Sequence, residues 1–187
     1  MIFEYGKYYH LYNRTNNKEK LFPQEENHLF FLLKFQTYLS LHCSVIAYCL
    51  MPTHFHFLIR IESNDTLQIS KSIGVVLRSY TRAINKRFDR NGNLFQQNTK
   101  AKEITDERYL FILLNYIHQN PLRARLVTRL EDWKYSSYRM LIDSSAITDS
   151  HGVTVDKKFY GEYFKTSIDF KQYSEELVQS VRSEYWI

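Results

Sequence analysis

Polar and apolar side chains alternate over residues 8–14. Tyr8, His10, Tyr12 and Arg14 fall on one side, Tyr9, Leu11 and Asn13 on the other, which is the period of a strand. Thr15-Asn16-Asn17 makes a turn. Pro23 stands where a helix would begin, and Leu29, Leu32, Leu33, Gln36, Leu39 and Ser40 recur at helical spacing to about Leu41. Residues 44–51 form a second β-like run. Pro52-Thr53 interrupts it for two residues before a further run resumes at His54, which predicts a tight antiparallel hairpin. Along that run His54, His56 and Leu58 share one face, and Phe55, Phe57, Ile59 and Ile61 share the other.

Glu62-Ser63-Asn64-Asp65 reads as a turn, with Asp65 or Thr66 able to cap the helix that follows. That helix extends to about Phe88 on Leu67, Ile73, Val76, Leu77, Tyr80 and Ile84. A turn at Arg90-Asn91-Gly92-Asn93 leads to a last strand expected over 94–104. Thr105-Asp106-Glu107 opens a third helix with Tyr109, Ile112, Leu113, Tyr116 and Ile117 on one stripe. Pro121 is expected to end it, because the residue before a proline is pushed out of helical geometry. The order β-α-β-β-α-β predicts an α+β, ferredoxin-like fold: a four-stranded antiparallel sheet with helices on one face, plus an extra C-terminal helix and tail. We assign residues 1–142 to one domain and 143–187 to a linker and helical tail packed on it. Within the tail, 143–156 reads as a loop and 174–186 as a short amphipathic helix.

A length of 187 residues suits one domain with a real core, and 44% hydrophobic with 24% charged residues excludes wholesale disorder. Aromatic residues make up 16% of the chain, which suits stacking on planar partners. The net charge of +5 favours a polyanionic partner. Its placement says more. Arg78, Arg82 and Lys86 form a row at i, i+4 and i+8 on the second helix, and no acid lies between Leu67 and Asp89. A face with only positive charge repels itself and is best explained by a nucleic-acid backbone, DNA or RNA, lying against it. The two cysteines, Cys43 and Cys49, give no disulfide framework. There is no signal-peptide pattern and no run of the ~18 apolar residues a membrane span needs, so a cytoplasmic protein is expected.

His54 and His56 sit about 7 Å apart along their strand, close enough to converge on one metal ion. Taken alone, such a pair is more often two ordinary strand histidines. Tyr116 and Asn120, at i and i+4, share a helix face. Each has a plain explanation, as a core aromatic and as a helix-end residue before proline. Together the four residues make a sharper set. A tyrosine hydroxyl is a nucleophile once activated, and two imidazoles with an amide oxygen can hold a divalent ion that polarises a phosphate.

The stretch Met51-Pro52-Thr53-His54-Phe55-His56-Phe57-Leu58-Ile59, then Gly92-Asn93-Leu94-Phe95-Gln96, then Tyr116-Ile117-His118-Gln119-Asn120-Pro121-Leu122-Arg123-Ala124, then Tyr135-Ser136-Ser137-Tyr138, resembles the single-tyrosine HUH transposases. Among these it is most similar to the REP-associated tyrosine transposases. The resemblance spans roughly residues 8–138. It implies a metal-dependent single-strand DNA endonuclease and strand transferase acting at hairpin or palindromic repeat DNA. By resemblance, His54 and His56 bind Mg²⁺ or Mn²⁺ with Asn120 as third ligand. Tyr116 attacks a DNA phosphate to leave a 5′-phosphotyrosine and a free 3′-hydroxyl. Arg14, Arg78, Arg82, Lys86, Lys100 and Arg123 are expected to contact DNA. The protein would be bacterial, cytoplasmic and nucleoid-associated when bound to DNA. Relatives include both monomers and homodimers.

Two positions depart from the family pattern. Gln97-Asn98-Thr99 stand where a small and a basic residue are usual, leaving Lys100 as the basic group. Arg125 replaces a usual glycine, which argues against a left-handed turn there. The competing reading is a non-catalytic ferredoxin-like module that binds RNA or DNA through its sheet.

Overall fold

In a computed structural model, residues 1–143 and 153–176 are described. The chain runs β1 (Tyr8–Arg14), α1 (Glu25–Leu39), β2 (Cys43–Met51), β3 (His54–Ile61), α2 (Thr66–Arg87), β4 (Lys100–Ile104) and α3 (Glu107–Arg123). The shorter helices α4 (Tyr138–Ile142), α5 (Lys157–Tyr163) and α6 (Ser167–Glu175) follow. The sheet order is β2-β3-β1-β4, with every neighbouring pair antiparallel. The expected four-stranded α+β architecture is therefore the observed one.

The alternation in β3 sorts the molecule into layers. Phe55, Phe57, Ile59 and Ile61 are buried on one face. There the Phe35 ring of α1 stacks on Phe57 at 3.9 Å, and Phe31 tilts against Phe55 at 5.2 Å. Tyr80 of α2 meets Phe31 edge-on at 5.0 Å, and its hydroxyl donates to the Leu21 carbonyl. Helices α1 and α2 thus cover the phenylalanine face. Helix α3 lies on the opposite face, against β2 and β3. A register shift in β2 between Val45 and Ala47 re-aims that strand. Beyond it Ala47, Cys49 and Met51 pair with Leu58, His56 and His54 on the histidine face.

The outer edge of β2 does not stay bare. Leu50 N–H donates to the Tyr135 carbonyl, Ser137 N–H to the Tyr48 carbonyl and Asp156 N–H to the Val45 carbonyl. Trp133 Nε1 donates to the Leu50 carbonyl and the Tyr160 hydroxyl to the Ile46 carbonyl. An unpaired edge is a template for aggregation, and these segments occupy it.

Several details differ from the sequence-based expectation. In α1 the core positions are His28, Phe31, Leu32, Phe35 and Leu39, whereas Leu33 is 52% exposed. Two apolar stripes fit the same helix, and the one carrying phenylalanines won the sheet. Leu67, at the start of α2, is likewise exposed, while Ile69 is buried. The last strand is shorter than 94–104 because Asn98 adopts φ +61°, which breaks the extended run before β4. Pro121 does not end α3, which continues to Arg123. A proline in the last turn forfeits one backbone bond, and the burial of Ile117 and Pro121 holds the turn together. The tail helix expected over 174–186 lies mostly outside the described residues; of it Ser174 and Glu175 close α6 and Glu176 caps it.

The finish of α3 corrects the expectation at Arg125. Leu126 N–H donates to the Pro121 carbonyl and Arg125 N–H to the Leu122 carbonyl, the paired bonds of a Schellman turn. Arg125 sits at φ +57°, the left-handed position that glycine ordinarily fills. Arg125→Gly should therefore raise unfolding stability, by about 0.5–1 kcal/mol, since left-handed strain costs an L-residue roughly 1–2 kcal/mol and glycine's unfolded-state entropy offsets part of the gain. Urea denaturation of the two proteins at one pH checks the sign.

Candidate active site

The pairing of β1 with β3 builds the floor of the site. Tyr12 stands opposite His56, and Arg14 opposite His54. The His54 and His56 rings lie 5.1 Å apart, nearly perpendicular. Helix α3 then lowers Tyr116 onto the pair, with its ring edge-on to His56 at 5.7 Å. Asn120 follows one turn later. Its Nδ2 donates to the Tyr116 carbonyl at 2.8 Å, and its amide lies near enough to the His54 ring and the Tyr116 hydroxyl to shift the titration of both. Residues about 60 positions apart thus meet across the sheet within one chain.

Burial sets the charge state here. It pushes His56 well below the usual imidazole range, and the neighbouring His10 and His54 add to the effect. Burial, then the Arg14 guanidinium, brings His54 down to about 4, against a smaller opposing bond to Asn120. Both rings are neutral at pH 7, with lone pairs available. Tyr116 is half-buried. Burial raises its hydroxyl above the ordinary phenol value, while the Arg123 guanidinium and the Asn120 hydrogen bond pull it back. Arg123 lies 5.9 Å over the Tyr116 ring.

His56 Nε2 is buried and has no hydrogen-bond partner among the described residues. Its other nitrogen, Nδ1, lies 2.8 Å from His10 Nε2. No group of three or more His, Cys, Asp or Glu residues is placed to hold a metal among the described residues. A cation here would therefore take two imidazoles and the Asn120 amide, leaving positions for water and phosphate oxygens. This neutral, partly open donor set fits a catalytic divalent ion. His10 was not singled out from sequence. Its alternation with Tyr12 and Arg14 placed it on the right face, but only the strand register brings it to His56.

The basic residues divide between two adjoining clefts. Arg78 and Arg82 line a cleft of about 620 Å³ between α2 and residues 92–99. Arg14 and Lys100 line a smaller one of about 170 Å³, and the two clefts share Asn13, Gln96 and Gln97. Arg14 Nε donates to Gln96 Oε1 at 2.9 Å, linking this rim to β1, where Arg14 stands opposite His54. Asn13 Nδ2 donates to Thr99 Oγ1, so part of the segment that departs from the family pattern secures the cleft wall. Glycine at position 74 matters for Arg78: a Cβ there would stand 2.7 Å from Arg78 Nη1. The guanidinium lies against the helix at that point. Lys86 does not line either cleft. Lys102, on the same sheet face as Lys100 and not anticipated, faces His10.

The other signature residues of α3 are structural. His118 Nε2 bonds Ser137 Oγ at 2.9 Å, Asn115 Nδ2 donates to the Tyr173 carbonyl, and Gln119 Nε2 donates to the Ser174 and Glu176 carbonyls. Ser137 Oγ also accepts from Tyr48 N–H. The Tyr135-Ser136-Ser137-Tyr138 stretch thus joins the β2 edge to the helix carrying Tyr116.

Residues 4–120 match the family model described as "Transposase IS200 like". The chain belongs to this family, whose members are DNA nicking and rejoining enzymes. Within it, the chain is similar to REP-associated tyrosine transposases. It shares 26% identity over 126 residues with a Haemophilus influenzae (strain ATCC 51907 / DSM 11121 / KW20 / Rd) protein named "Putative REP-associated tyrosine transposase", covering 63% of this chain and 71% of the relative. It also matches a solved structure described as "Structure of the REP associates tyrosine transposase bound to a REP hairpin", with a TM-score of 0.62, 16% identity, and 80% of this chain and 87% of the other covered. At that identity the likeness shows the fold. No helix among the described residues is long and apolar enough to cross a membrane.

Buried histidines make acid stability predictable. Burial holds His10 and His118 at about 3, and His28 and His54 at about 4, in the folded state, against 6.5 for the free side chain. Above pH 6.5 both states are neutral there and nothing changes. As pH falls from 6.5 toward 4 the unfolded chain takes up protons that the folded chain refuses, so stability drops. The expected slope reaches about 1.4 kcal/mol per pH unit for each such histidine. Denaturation midpoints between pH 7.5 and 4.5 measure it, and a flat profile would contradict these burial-driven shifts.

Proposed function

We propose that the protein cleaves single-stranded DNA beside a hairpin and rejoins it through Tyr116. The contact that carries this reading is Tyr116 against His56, with Asn120 bonded to the Tyr116 carbonyl and set beside His54. The Tyr116 hydroxyl oxygen attacks the scissile phosphorus. The bond to the 3′ oxygen breaks, giving a 5′-phosphotyrosine and a free 3′-hydroxyl. Attack by a 3′-hydroxyl on that phosphotyrosine reverses the step and joins two strands, with no nucleotide triphosphate needed.

For the attack, the phenol must lose its proton. Arg123 and Asn120 favour the phenolate, and the surrounding burial keeps it undissociated until substrate arrives. A Mg²⁺ or Mn²⁺ ion held by His54, His56 and Asn120 would polarise the phosphate and offset charge building on its oxygens. His54 and His56 stay neutral and so keep lone pairs for that role. Arg14, Arg78, Arg82 and Lys100 would hold the backbone of the strand along the two joined clefts, and Arg123 would hold it beside Tyr116. The solved relative bound to a REP hairpin supports a hairpin as the landmark on the substrate.

Incubation with a labelled hairpin oligonucleotide carrying a single-stranded flank, plus Mg²⁺ or Mn²⁺, should yield a denaturation-resistant protein–DNA band. Tyr116→Phe should give none, and its persistence would remove Tyr116 as nucleophile. Binding of RNA with no adduct on any hairpin DNA would favour the binding-module reading. Arg78→Ala and Arg82→Ala should each weaken single-strand binding at low salt. Each should also flatten the slope of log affinity against log salt by about 0.7, the share of one phosphate contact. Fluorescence anisotropy over a salt series reads both effects.

A further inference from the structure

We infer that His10 is a positioning residue. It accepts a hydrogen bond from His56 Nδ1–H and so fixes His56 in the tautomer whose Nε2 lone pair is available to a divalent cation. The inference rests on the reading of His54, His56 and Asn120 as a metal site.

His10 Nε2 and His56 Nδ1 are 2.8 Å apart, and both residues are fully buried. Their ring planes lie 16° from parallel. One proton serves that bond, so the pair has two arrangements. With the proton on His56 Nδ1, the opposite nitrogen Nε2 carries a lone pair. With the proton on His10 Nε2, His56 must carry its own proton on Nε2, where a cation would bind. Both satisfy the bond between the rings, but only the first leaves His56 able to ligate.

The placement of His10 leaves it no ligand role of its own. It stands opposite Leu58 in the β1–β3 ladder and reaches diagonally to His56, with the Tyr12 ring 4.5 Å away. Its Nε2 is already engaged by His56. His54 repeats the arrangement: its Nδ1 lies 3.1 Å from Thr53 Oγ1. Both histidines therefore spend Nδ1 on a protein partner and keep Nε2 for the site. Metal-binding histidines are generally oriented this way, by a second group that holds the far nitrogen.

Two measurements test this. The first is a long-range ¹H–¹⁵N spectrum of metal-free, histidine-labelled protein at pH 7.5, with His56 assigned by its loss in His56→Gln. Protonated Nδ1 and bare Nε2 on His56 are expected, and the reverse pattern overturns the inference whether or not any His10 variant folds. The second is Mn²⁺ affinity, read from the electron paramagnetic resonance signal of free Mn²⁺, with thermal melts as a fold control. His10→Leu should bind about 10–100-fold more weakly. In His10→Gln the amide oxygen can accept the same bond, so affinity should stay within about threefold of the parent. If His54→Ala lowers affinity but a folded His10→Leu does not, the role of His10 is overturned and the metal site stands. If His54→Ala binds Mn²⁺ as tightly as the parent, the metal site itself fails, and the role of His10 with it.

Discussion

The register of β3 is the constraint on which the rest of the molecule depends. This strand is hydrogen-bonded on both sides, to β2 and to β1, and its two faces are chemically opposite. A slip of one residue would send Phe55 and Phe57 toward α3 and push His54 and His56 into the apolar layer under α1. Each large apolar side chain buried is worth about 1.5–3 kcal/mol, and Phe55, Phe57, Ile59 and Ile61 all sit on the correct side. The phenylalanines thus hold the histidines in place from the far face of the sheet. Packing energy on one side orients chemistry on the other.

Function depends next on where α3 comes to rest. The helix is sandwiched between the histidine face and α6, and its polar residues are spent on that placement. His118 ties it to Ser137 at the β2 edge, while Asn115 and Gln119 tie it to the start and end of the α6 C-terminal turn. Tyr116 remains half-buried with its edge toward His56, and Asn120 bonds its carbonyl one turn on. The proposed mechanism requires a reactive tyrosine that is both accessible and accurately held. On that reading the neighbours of Tyr116 in the helix would supply the holding.

Strand and helix boundaries were most legible where one period dominated. Residues 8–14 carry an alternating pattern, broken at Asn13, and became β1 over the same residues. The Pro52-Thr53 break became the hairpin turn, and the cap at Asp65 accepts from Gln68 N–H as a capping aspartate should. Legibility failed where two local signals competed or where a local rule was overridden. In α1 Leu29 and Leu33 compete with Phe31 and Phe35, and sequence spacing cannot say which stripe meets a sheet. Pro121 and Arg125 each break a local preference, and the buried packing of α3 together with the Schellman bonds holds both in place.

The sequence by itself determined the element order, the two-faced character of β3, the unbalanced basic row on α2, and the shared faces of His54 with His56 and of Tyr116 with Asn120. These are properties of period and composition, which are local. Only the tertiary structure decided that Tyr116 and the histidines meet within one chain, that the Arg78 and Arg14 clefts adjoin through Asn13 and Gln96, and that His10 touches His56. Those depend on strand register and helix docking. Both are settled by summed burial across the sheet, a quantity that no single stretch of the chain contains.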